Sequence, residues 1–401
     1  METKEITTQQ EYLEYSRDEV HHYSEGVRRL FDLALTYLER ADKAYEAGGN
    51  AVWSTGVWDT PLILASDHIP VAYPELGRLG NIHAVSMAED HLQVPRETCP
   101  MVKSTLGELL LRKGKSFKQI LGFGNFCESY NTGLEVMNEE GYNVYFADIP
   151  YIPKELNPSR QKETMKYIKR ELVSMAEWMS GSLDEERLGE ELKRMNTIAY
   201  KIRRILDLRL KKPFYIRSLA ALYIIMGSGH YFGAPDEFMT ALDLLTEELE
   251  DESHEPYRGE KVIPLVWSGG RGQEFGIYKT VDDYNGAILG WVVANPLWKE
   301  FDEKIQPLDS LAKFVLEGMI VGGANKFFRI PMEEQAKKVN AKGVIFYGFF
   351  GCSFISIDFE LMREYFQKKG IPSLILEGSF QVGAPSGQVM TRVKAFMEML
   401  S

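Results

Sequence analysis

The fold of this 401-residue chain is decided by two stretches of sequence, ILGFGNFC at Ile120–Cys127 and VIFYGFFGC at Val344–Cys352. Both are apolar runs with glycine steps, and both end in a cysteine. Both then run into helix-forming sequence, a glycine stop and a second apolar run, a pattern that predicts a β-α-β unit. Ligands of such units lie at the carboxyl ends of the strands, so we expect Cys127 and Cys352 to face a shared crevice.

Working outward from these two units, we divide the chain into four segments. Residues 1–49 are charged and apolar at helical spacing, and they form a helical lead-in that ends at a Gly-Gly pair. Residues 50–156 and 259–401 contain the apolar strand patterns. Residues 157–258 have Glu, Lys, Arg and Leu at three- and four-residue spacing. The sequence therefore predicts an α/β protein in which two similar Rossmann- or flavodoxin-like domains are joined by a helical segment.

The opening strands of the two α/β segments also resemble each other. AVWSTG at Ala51–Gly56 and PLVWSGG at Pro264–Gly270 each bring a Trp-Ser pair to a glycine turn. We interpret the two halves as diverged copies of one unit. A cofactor bound between them would need ligands from both.

Composition and charge narrow the classes of function. The net charge of -12 argues against a nucleic-acid partner, because nucleic-acid binding requires a basic face. The longest apolar runs, at Leu219–Met226 and Val344–Ile357, are shorter than the roughly 20 residues that span a bilayer. Residues Met1–Val20 lack the pattern of a signal peptide. We therefore expect a cytoplasmic protein with reduced thiols and no membrane partner.

The chain has three cysteines, Cys99, Cys127 and Cys352. Cys99 lies in the loop ETCPMVKSTLG, just before a predicted helix, and could supply a third thiolate to the crevice. A disulfide would leave one thiol over, and a structural zinc takes four closely spaced ligands, which this sequence does not offer. A 4Fe-4S cluster held by three cysteines fits the number better. The alternative is that all three are small buried hydrophobic residues.

At this point the sequence resembles the family of 2-hydroxyacyl-CoA dehydratases and the related benzoyl-CoA reductase subunits. The resemblance runs from about Trp53 to the C-terminal helix, and it is closest to the larger, substrate-binding subunit. It rests on the order and spacing of several pieces: WSTGVWDTP, AYPE, TCPMVKSTLG, the two strands that end in cysteine, and GQVMTRVKAFMEML. It implies two α/β domains and one 4Fe-4S cluster, with ligands at the positions of Cys99, Cys127 and Cys352.

The resemblance also implies a reaction. The β hydrogen of a 2-hydroxyacyl-CoA is scarcely acidic, so the family is understood to add one electron to the thioester, expel hydroxide from the resulting ketyl radical and recover the electron at the end. A separate ATP-hydrolysing iron-sulfur activator supplies that electron. This chain has no G-x-x-x-x-G-K-S/T loop of its own, which fits a partner that performs the energy coupling.

Three residues are candidates for handling the substrate. Glu75, in AYPE, matches a tyrosine-proline-glutamate segment of the larger subunit, and the resemblance implies an acid or base role; the alternative is a solvated loop carboxylate. Ser54 and Thr55 follow Trp53 at a strand end, where hydroxyls can bond a thioester or cap a turn. The sequence departs from the dehydratase pattern at Gly56, where a hydroxyl residue is expected.

A glycine-rich loop and three histidines give weaker predictions of function. GGRGQEFG at Gly269–Gly276 follows a strand and could bind a phosphate with Arg271, but its spacing is also that of a plain strand-to-helix turn. His230 lies in GSGHYFG and reads as an ordinary loop histidine, and His21 and His22 read as surface residues of an amphipathic helix.

Three functions remain open on the sequence. The first is a 4Fe-4S subunit of a radical 2-hydroxyacyl-CoA dehydratase, a hydro-lyase that works with a homologous second subunit or a second copy of this chain. The second is a subunit of an ATP-dependent benzoyl-CoA or other aryl-CoA reductase. The third is an iron-sulfur electron-transfer protein without a substrate of its own.

Overall fold

The computed structural model describes most of the chain, namely residues 6, 8–56, 58–79, 81–123, 127–149, 157–251, 253, 262–270, 274–292, 299–317, 324–352, 356, 358–378 and 385–401. This part of the chain is an α/β protein with two four-stranded parallel sheets, which confirms the predicted fold class.

The lead-in consists of three helices, α1 (Gln9–Tyr15), α2 (Glu25–Leu35) and α3 (Tyr37–Glu46). Thr8 and Glu11 form a capping box at the start of α1, which satisfies backbone N–H groups that the helix leaves without partners. A π-helical turn at Ser16–Val20 separates α1 from α2. Gly48 has φ 89°, a left-handed conformation that lets the chain leave α3, as the Gly-Gly pair predicts.

The first sheet and its helices follow. The elements are β1 (Asn50–Ser54), α4 (Thr60–Ala65), β2 (His68–Ala72), α5 (Tyr73–Leu76), α6 (Ile82–Asp90), α7 (Pro100–Leu111), β3 (Gln119–Phe123), α8 (Glu128–Glu139) and β4 (Asn143–Ala147). The strands lie in the order β2-β1-β3-β4, and every neighbouring pair is parallel. Trp53 in β1 is completely buried and stacks on Phe117.

The helical segment contains α9 (Pro158–Ser180), α10 (Glu185–Arg209), α11 (Ser218–Gly227) and α12 (Pro235–Glu250). Helix α11 is buried on all sides, because its apolar residues have no polar face to present to solvent. The run Leu219–Met226 is therefore a core helix. In the part of the chain that the structure describes, no helix is both long and apolar enough to cross a membrane.

The second sheet repeats the first. Its elements are β5 (Ile263–Gly269), α13 (Gly276–Asp283), β6 (Gly286–Val292), α14 (Pro307–Leu316), α15 (Ala324–Lys338), β7 (Gly343–Phe349), α16 (Phe359–Lys368), β8 (Ser373–Gly378) and α17 (Gly387–Leu400). The order β6-β5-β7-β8 is that of the first sheet, and again every pair is parallel. Trp267 in β5 is as completely buried as Trp53, its counterpart.

Candidate functional site

The strand order locates the candidate site. The chain goes from β1 to β2 on one side and then returns to place β3 on the other side of β1, which makes a crevice at the carboxyl ends of β1 and β3. Ser54 ends β1 and Cys127 follows β3 at this crevice. In the second sheet the same switch lies between β5 and β7, and Cys352 follows β7.

Two of the thiols lie at helix N-termini. Cys99 precedes α7 and Cys127 precedes α8, each at the N-cap position. Burial, and then the charge of Cys352, raise the pKa of the Cys99 thiol to about 12, although the backbone amides of Met101 and Val102 act in the opposite direction. Burial also raises the pKa of Cys127, on which the charge of Cys352 acts as well. The three thiols are thus close enough to influence one another.

Cys352 reaches the other two from the second sheet. Its backbone N–H donates to Phe349 O at 3.0 Å in the turn after β7. The preceding Gly351 has φ 69°, and a Cβ atom there would lie 2.2 Å from the carbonyl oxygen of Glu97. Because Glu97 belongs to the loop that carries Cys99, this glycine is where the two halves touch beside the thiols. The next described helix after Cys352 is α16, which begins at Phe359.

No disulfide joins the three cysteines, all of which are among the described residues. Within the described ranges, no group of three His, Cys, Asp or Glu side chains converges closely enough for one metal ion. A mononuclear zinc site therefore has no support in this part of the chain. Thiolates that bind separate irons of a cluster need not converge on one point, so this finding does not bear on cluster binding.

A buried lysine holds the loop of Cys99. Lys103, in the first turns of α7, donates from Nζ to Arg96 O and to Glu89 Oε1, both at 2.7 Å. Its side chain is almost completely buried. Because Arg96 lies three residues before Cys99, the ammonium group fixes the backbone that presents the thiol.

The side chain of Tyr130 lies near the thiols of Cys99 and Cys127. Tyr130 Oη is 3.0 Å from Thr105 Oγ1, and its ring lies 5.1 Å from that of Tyr73. Burial raises the pKa of Tyr130 far above its ordinary value, and the charges of Cys99, Cys127 and Arg78 all act on it. The phenol is therefore neutral, with an O–H next to the thiols.

Glu75 is buried rather than solvated. It lies in α5, directly after β2, and Arg78 Nη1 donates to its Oε1. The Nε2 atom of His230 lies 3.7 Å from the same oxygen. This environment excludes the solvated-loop alternative, because a carboxylate leaves water only when it is paired.

The segment of Glu75 packs against the thiol helix. A Cβ atom on Gly77 would come within 2.9 Å of Met101 O and of Thr105 Oγ1, both in α7. The structure therefore brings the carboxylate segment and the Cys99 helix together at one end of the first sheet.

The hydroxyls of Ser54 and Thr55 have partners within their own turn. Ser54 Oγ accepts the N–H of Gly56 at 3.1 Å, and Thr55 Oγ1 donates to Asp59 Oδ1 at 3.4 Å. Both side chains are buried. These contacts match the capping alternative that the sequence left open.

Two histidines differ from the sequence interpretation. His230 is completely buried and faces Glu75, so it is not an ordinary loop histidine. The signals that could have found it are the glycines on both sides, Gly229 and Gly233, and the missing side chain at Gly56. His21, expected at the surface, is completely buried, and its Nε2 accepts a hydrogen bond from the backbone N–H of Arg217. His22 is exposed, as expected.

The loop GGRGQEFG is described only in part. Arg271, the expected phosphate partner, lies outside the described residues. Glu274 is buried and accepts a hydrogen bond from Tyr347 Oη at 2.6 Å. Gly270 bonds through its N–H to Tyr347 O at 2.8 Å, so this edge of the loop is held to β7.

Two comparisons with known proteins identify the family of the chain. Residues 60–400 match the family model described as 2-hydroxyglutaryl-CoA dehydratase, D-component. The chain is also 23% identical, over 350 residues, to the (R)-phenyllactyl-CoA dehydratase beta subunit of Clostridium sporogenes, covering 84% of this chain and 88% of that protein. The family match extends from α4 to the last helix and includes seven of the eight strands, β1 being outside it, and all three cysteines. The chain belongs to the family of 2-hydroxyglutaryl-CoA dehydratase D-components.

Proposed function

We propose that this chain is a 4Fe-4S subunit of a radical 2-hydroxyacyl-CoA dehydratase, and that Cys99, Cys127 and Cys352 hold the cluster. The observation that carries the proposal is the approach of three thiols from two domains, with Gly351 packed on the loop of Cys99. Soft thiolates are the ligands that iron-sulfur clusters take. Thiols of high pKa would lose their protons on binding, because a coordinated thiol is deprotonated.

The cluster, when bound, would supply the single electron and a Lewis-acidic iron. The chain's own residues have other tasks. The helix N-termini at Cys99 and Cys127 would stabilise the thiolates, since their amides point toward negative charge. Lys103 would keep the Cys99 loop in place, and the neutral hydroxyl of Tyr130 would offer an O–H beside the thiols.

Glu75 is the proposed acid or base. Elimination of water removes a proton from the β carbon and hydroxide from the neighbouring carbon, so one group must accept a proton or donate one. The carboxylate of Glu75 lies at the end of β2, next to the switch point, where such a group can reach a bound ligand. Ser54 and Thr55 would shape the floor of the crevice, because their hydroxyls are used in the turn.

The proposed working form has partners. The relative from Clostridium sporogenes is named as a beta subunit, which supports a homologous second subunit; a second copy of this chain is the other arrangement. We propose further that a separate ATP-dependent iron-sulfur activator supplies the electron to the enzyme and that the substrate is an acyl-CoA. The complex would work in the cytoplasm, as part of anaerobic metabolism.

A second candidate is an aryl-CoA reductase of the benzoyl-CoA type. Gly56 favours it, because the hydroxyl expected in a dehydratase is missing there. It would use the same thiols but leave the electrons in the product. An electron-transfer protein without a substrate is the third candidate, and a cluster whose irons are all bound by protein would favour it.

The test of the cluster is iron and sulfide analysis after anaerobic purification. We expect about four irons and four acid-labile sulfides per chain. Stoichiometric zinc without sulfide would contradict the proposal.

The test of the reaction is turnover of (R)-phenyllactyl-CoA with the partner subunit, the activator, ATP and a low-potential reductant. A dehydratase recovers its electron and needs ATP only occasionally, whereas a reductase consumes ATP in fixed ratio to product. Glu75→Gln should retain its iron but lower turnover at least ~100-fold. Glu108→Gln is the matched control, since Glu108 is also buried but accepts a hydrogen bond from Asn81 near the carboxyl end of α7, the end opposite Cys99.

A further inference from the structure

His230 is held in an unusual turn between α11 and α12. Its side chain is completely buried. The next two residues, Tyr231 and Phe232, have φ 51° and 50°, in the left-handed region that large side chains seldom adopt. Such conformations persist where the surrounding structure holds them, and they concentrate at functional sites.

The hydrogen bond of the ring determines its tautomer. His230 Nδ1 accepts the backbone N–H of Phe232 at 3.1 Å. A ring nitrogen that accepts a hydrogen bond carries no proton, so the proton of the neutral ring lies on Nε2. That atom lies 3.7 Å from Glu75 Oε1. The Nε2–H group therefore lies near the oxygen that Arg78 also binds.

Tyr37 ties the ring of His230 to the strand that leads to Glu75. The two rings are stacked, with centroids 4.9 Å apart and planes at 14°. Tyr37 Oη donates to Pro70 O and accepts the N–H of Ala72, each at 2.9 Å. Because Glu75 follows β2 by three residues, the same tyrosine locates both the imidazole and the carboxylate.

The lack of a side chain at Gly56 leaves room for the turn of His230. A Cβ atom there would lie 3.3 Å from His230 Cδ2 and 3.4 Å from Gly229 O. A Cβ atom on Gly229 would lie 1.9 Å from Gly56 O. The turn after β1 and the turn of His230 therefore meet backbone to backbone, and the imidazole occupies the space beside the position where a hydroxyl residue is expected.

We propose that His230 is the positioning residue for Glu75, with its Nε2–H and the Arg78 guanidinium both held on Oε1, so that the carboxylate has one orientation toward the crevice. At 3.7 Å the contact is longer than a hydrogen bond, and such contacts shorten when a substrate is bound. This inference rests on the proposed function, because it assigns Glu75 a role in the reaction.

The first experiment tests the pairing without any turnover. The full chain is labelled with ¹⁵N-histidine, purified anaerobically and measured by NMR, and His230→Gln identifies the His230 signals. We expect a ring protonated at Nε2, and we expect Glu75→Gln to shift the Nε2 signal while Nδ1 stays unchanged. A ring protonated at Nδ1, or an Nε2 signal that does not respond to Glu75→Gln, would overturn the proposal.

The second experiment is a double-mutant cycle with (R)-phenyllactyl-CoA in the complete assay. His230→Leu should lower kcat roughly 10- to 100-fold with little change in KM, the scale for losing a supporting contact. His230→Gln, which keeps an N–H donor near the position of Nε2, should restore most of this loss. In the Glu75→Gln background His230→Leu should cost less than about twofold, because its effect passes through the carboxylate. Equal losses in both backgrounds would contradict the proposal.

His68→Leu is the matched control. His68 is also buried, but it lies at the amino end of β2, and its Nδ1 is 2.7 Å from Ser66 O. It should lose stability while retaining kcat. Should Glu75→Gln keep full turnover, the positioning role fails together with the role of Glu75. The NMR experiment decides the pairing even for a protein that does not turn over this acyl-CoA.

Discussion

The two halves of the molecule have the same strand order but different chemistry at the carboxyl ends of their strands. The first half presents Cys99 and Cys127, each at the N-terminus of a helix. The second half presents Cys352 in a glycine turn, with the next helix starting at Phe359. The order β2-β1-β3-β4 recurs as β6-β5-β7-β8, so the scaffold is repeated while the arrangement of the thiols is not.

The buried charges differ in the same way. The first half has Glu75 with Arg78 at its crevice, where His230 approaches from the helical segment, and Lys103 behind the Cys99 loop. The second half has Glu274, bonded to Tyr347. A duplicated fold thus supplies equivalent strand ends, while the buried charged groups described beside them differ. The second half contributes Cys352 and the Gly351 turn, which lies against the loop of Cys99.

The largest effect is expected when either half loses one of its thiols. Cys127→Ser and Cys352→Ser should each lower iron to less than about one per chain, because a cluster bound by three thiols cannot be retained by two. Both variants should also unfold at lower temperature, since the proposed cluster would join the halves. Ser116→Ala is the control: it loses a buried hydrogen bond to Asp42, and with it about 1 kcal/mol, but should keep its iron. A variant of either cysteine with full iron content would show that its half does not take part.

The next prediction compares two buried cations, Lys103 in the first half and Arg209 in the helical segment. Lys103→Met should cost about 3–5 kcal/mol of unfolding free energy and also lower iron content, because the Arg96 carbonyl and the Glu89 carboxylate lose their donor next to Cys99. Arg209 donates to Ile216 O and Ile288 O, at the edge of the second sheet. Arg209→Met should cost a similar free energy but leave iron content unchanged. Denaturant unfolding and iron analysis of both variants check this difference.

The third prediction concerns the loss of stability in acid that His21, in the helical lead-in, should cause. Burial lowers the pKa of His21 to about 4, from 6.5 in the unfolded chain. Between these values only the unfolded state takes up the proton, so stability falls as the pH drops from 6.5 to 4, by about 3 kcal/mol. His21→Gln should remove this part of the acid sensitivity.

Asp282, close to the same junction, acts in the opposite direction. Burial raises its pKa to about 6, so the folded state takes up this proton first and its contribution grows as the pH falls. Comparison of the variant with the parent chain at each pH cancels the contribution of Asp282. Parallel pH profiles for the two proteins would contradict the assignment to His21.

The smallest effect tests the contact between the halves. Gly351→Ala should be more destabilising than Gly370→Ala by about 2 kcal/mol. Both glycines have positive φ, 69° and 74°, and so share the cost of a left-handed alanine. Only at Gly351 would the new Cβ meet another chain segment, at Glu97 O, whereas nothing lies within 4 Å at Gly370. Equal melting temperatures for the two variants would place the halves further apart than described.

Much of the scaffold could be predicted from the sequence because its causes are local. The apolar runs at Ile120–Cys127 and Val344–Cys352 predicted strands β3 and β7, and glycine stops such as Gly48 predicted the ends of helices. The spacing of the segment 157–258 predicted helices α9 to α12. The placement of cysteines after strands likewise predicted thiols at the sheet switch points, since parallel strands all end at one edge.

What the sequence by itself could not determine is which groups meet across the chain. The sequence predicts a loop carboxylate at Glu75 and a loop histidine at His230, and only packing of the turn that follows His230 against β2 brings them within 3.7 Å. The glycine at position 56 reads as a lost hydroxyl, whereas in the structure it admits the turn of Gly229. The hydrogen bonds of helices and turns join residues a few positions apart, so the local sequence determines these elements. Burial and pairing of charges depend on segments far apart in the chain, so the tertiary structure alone decided them.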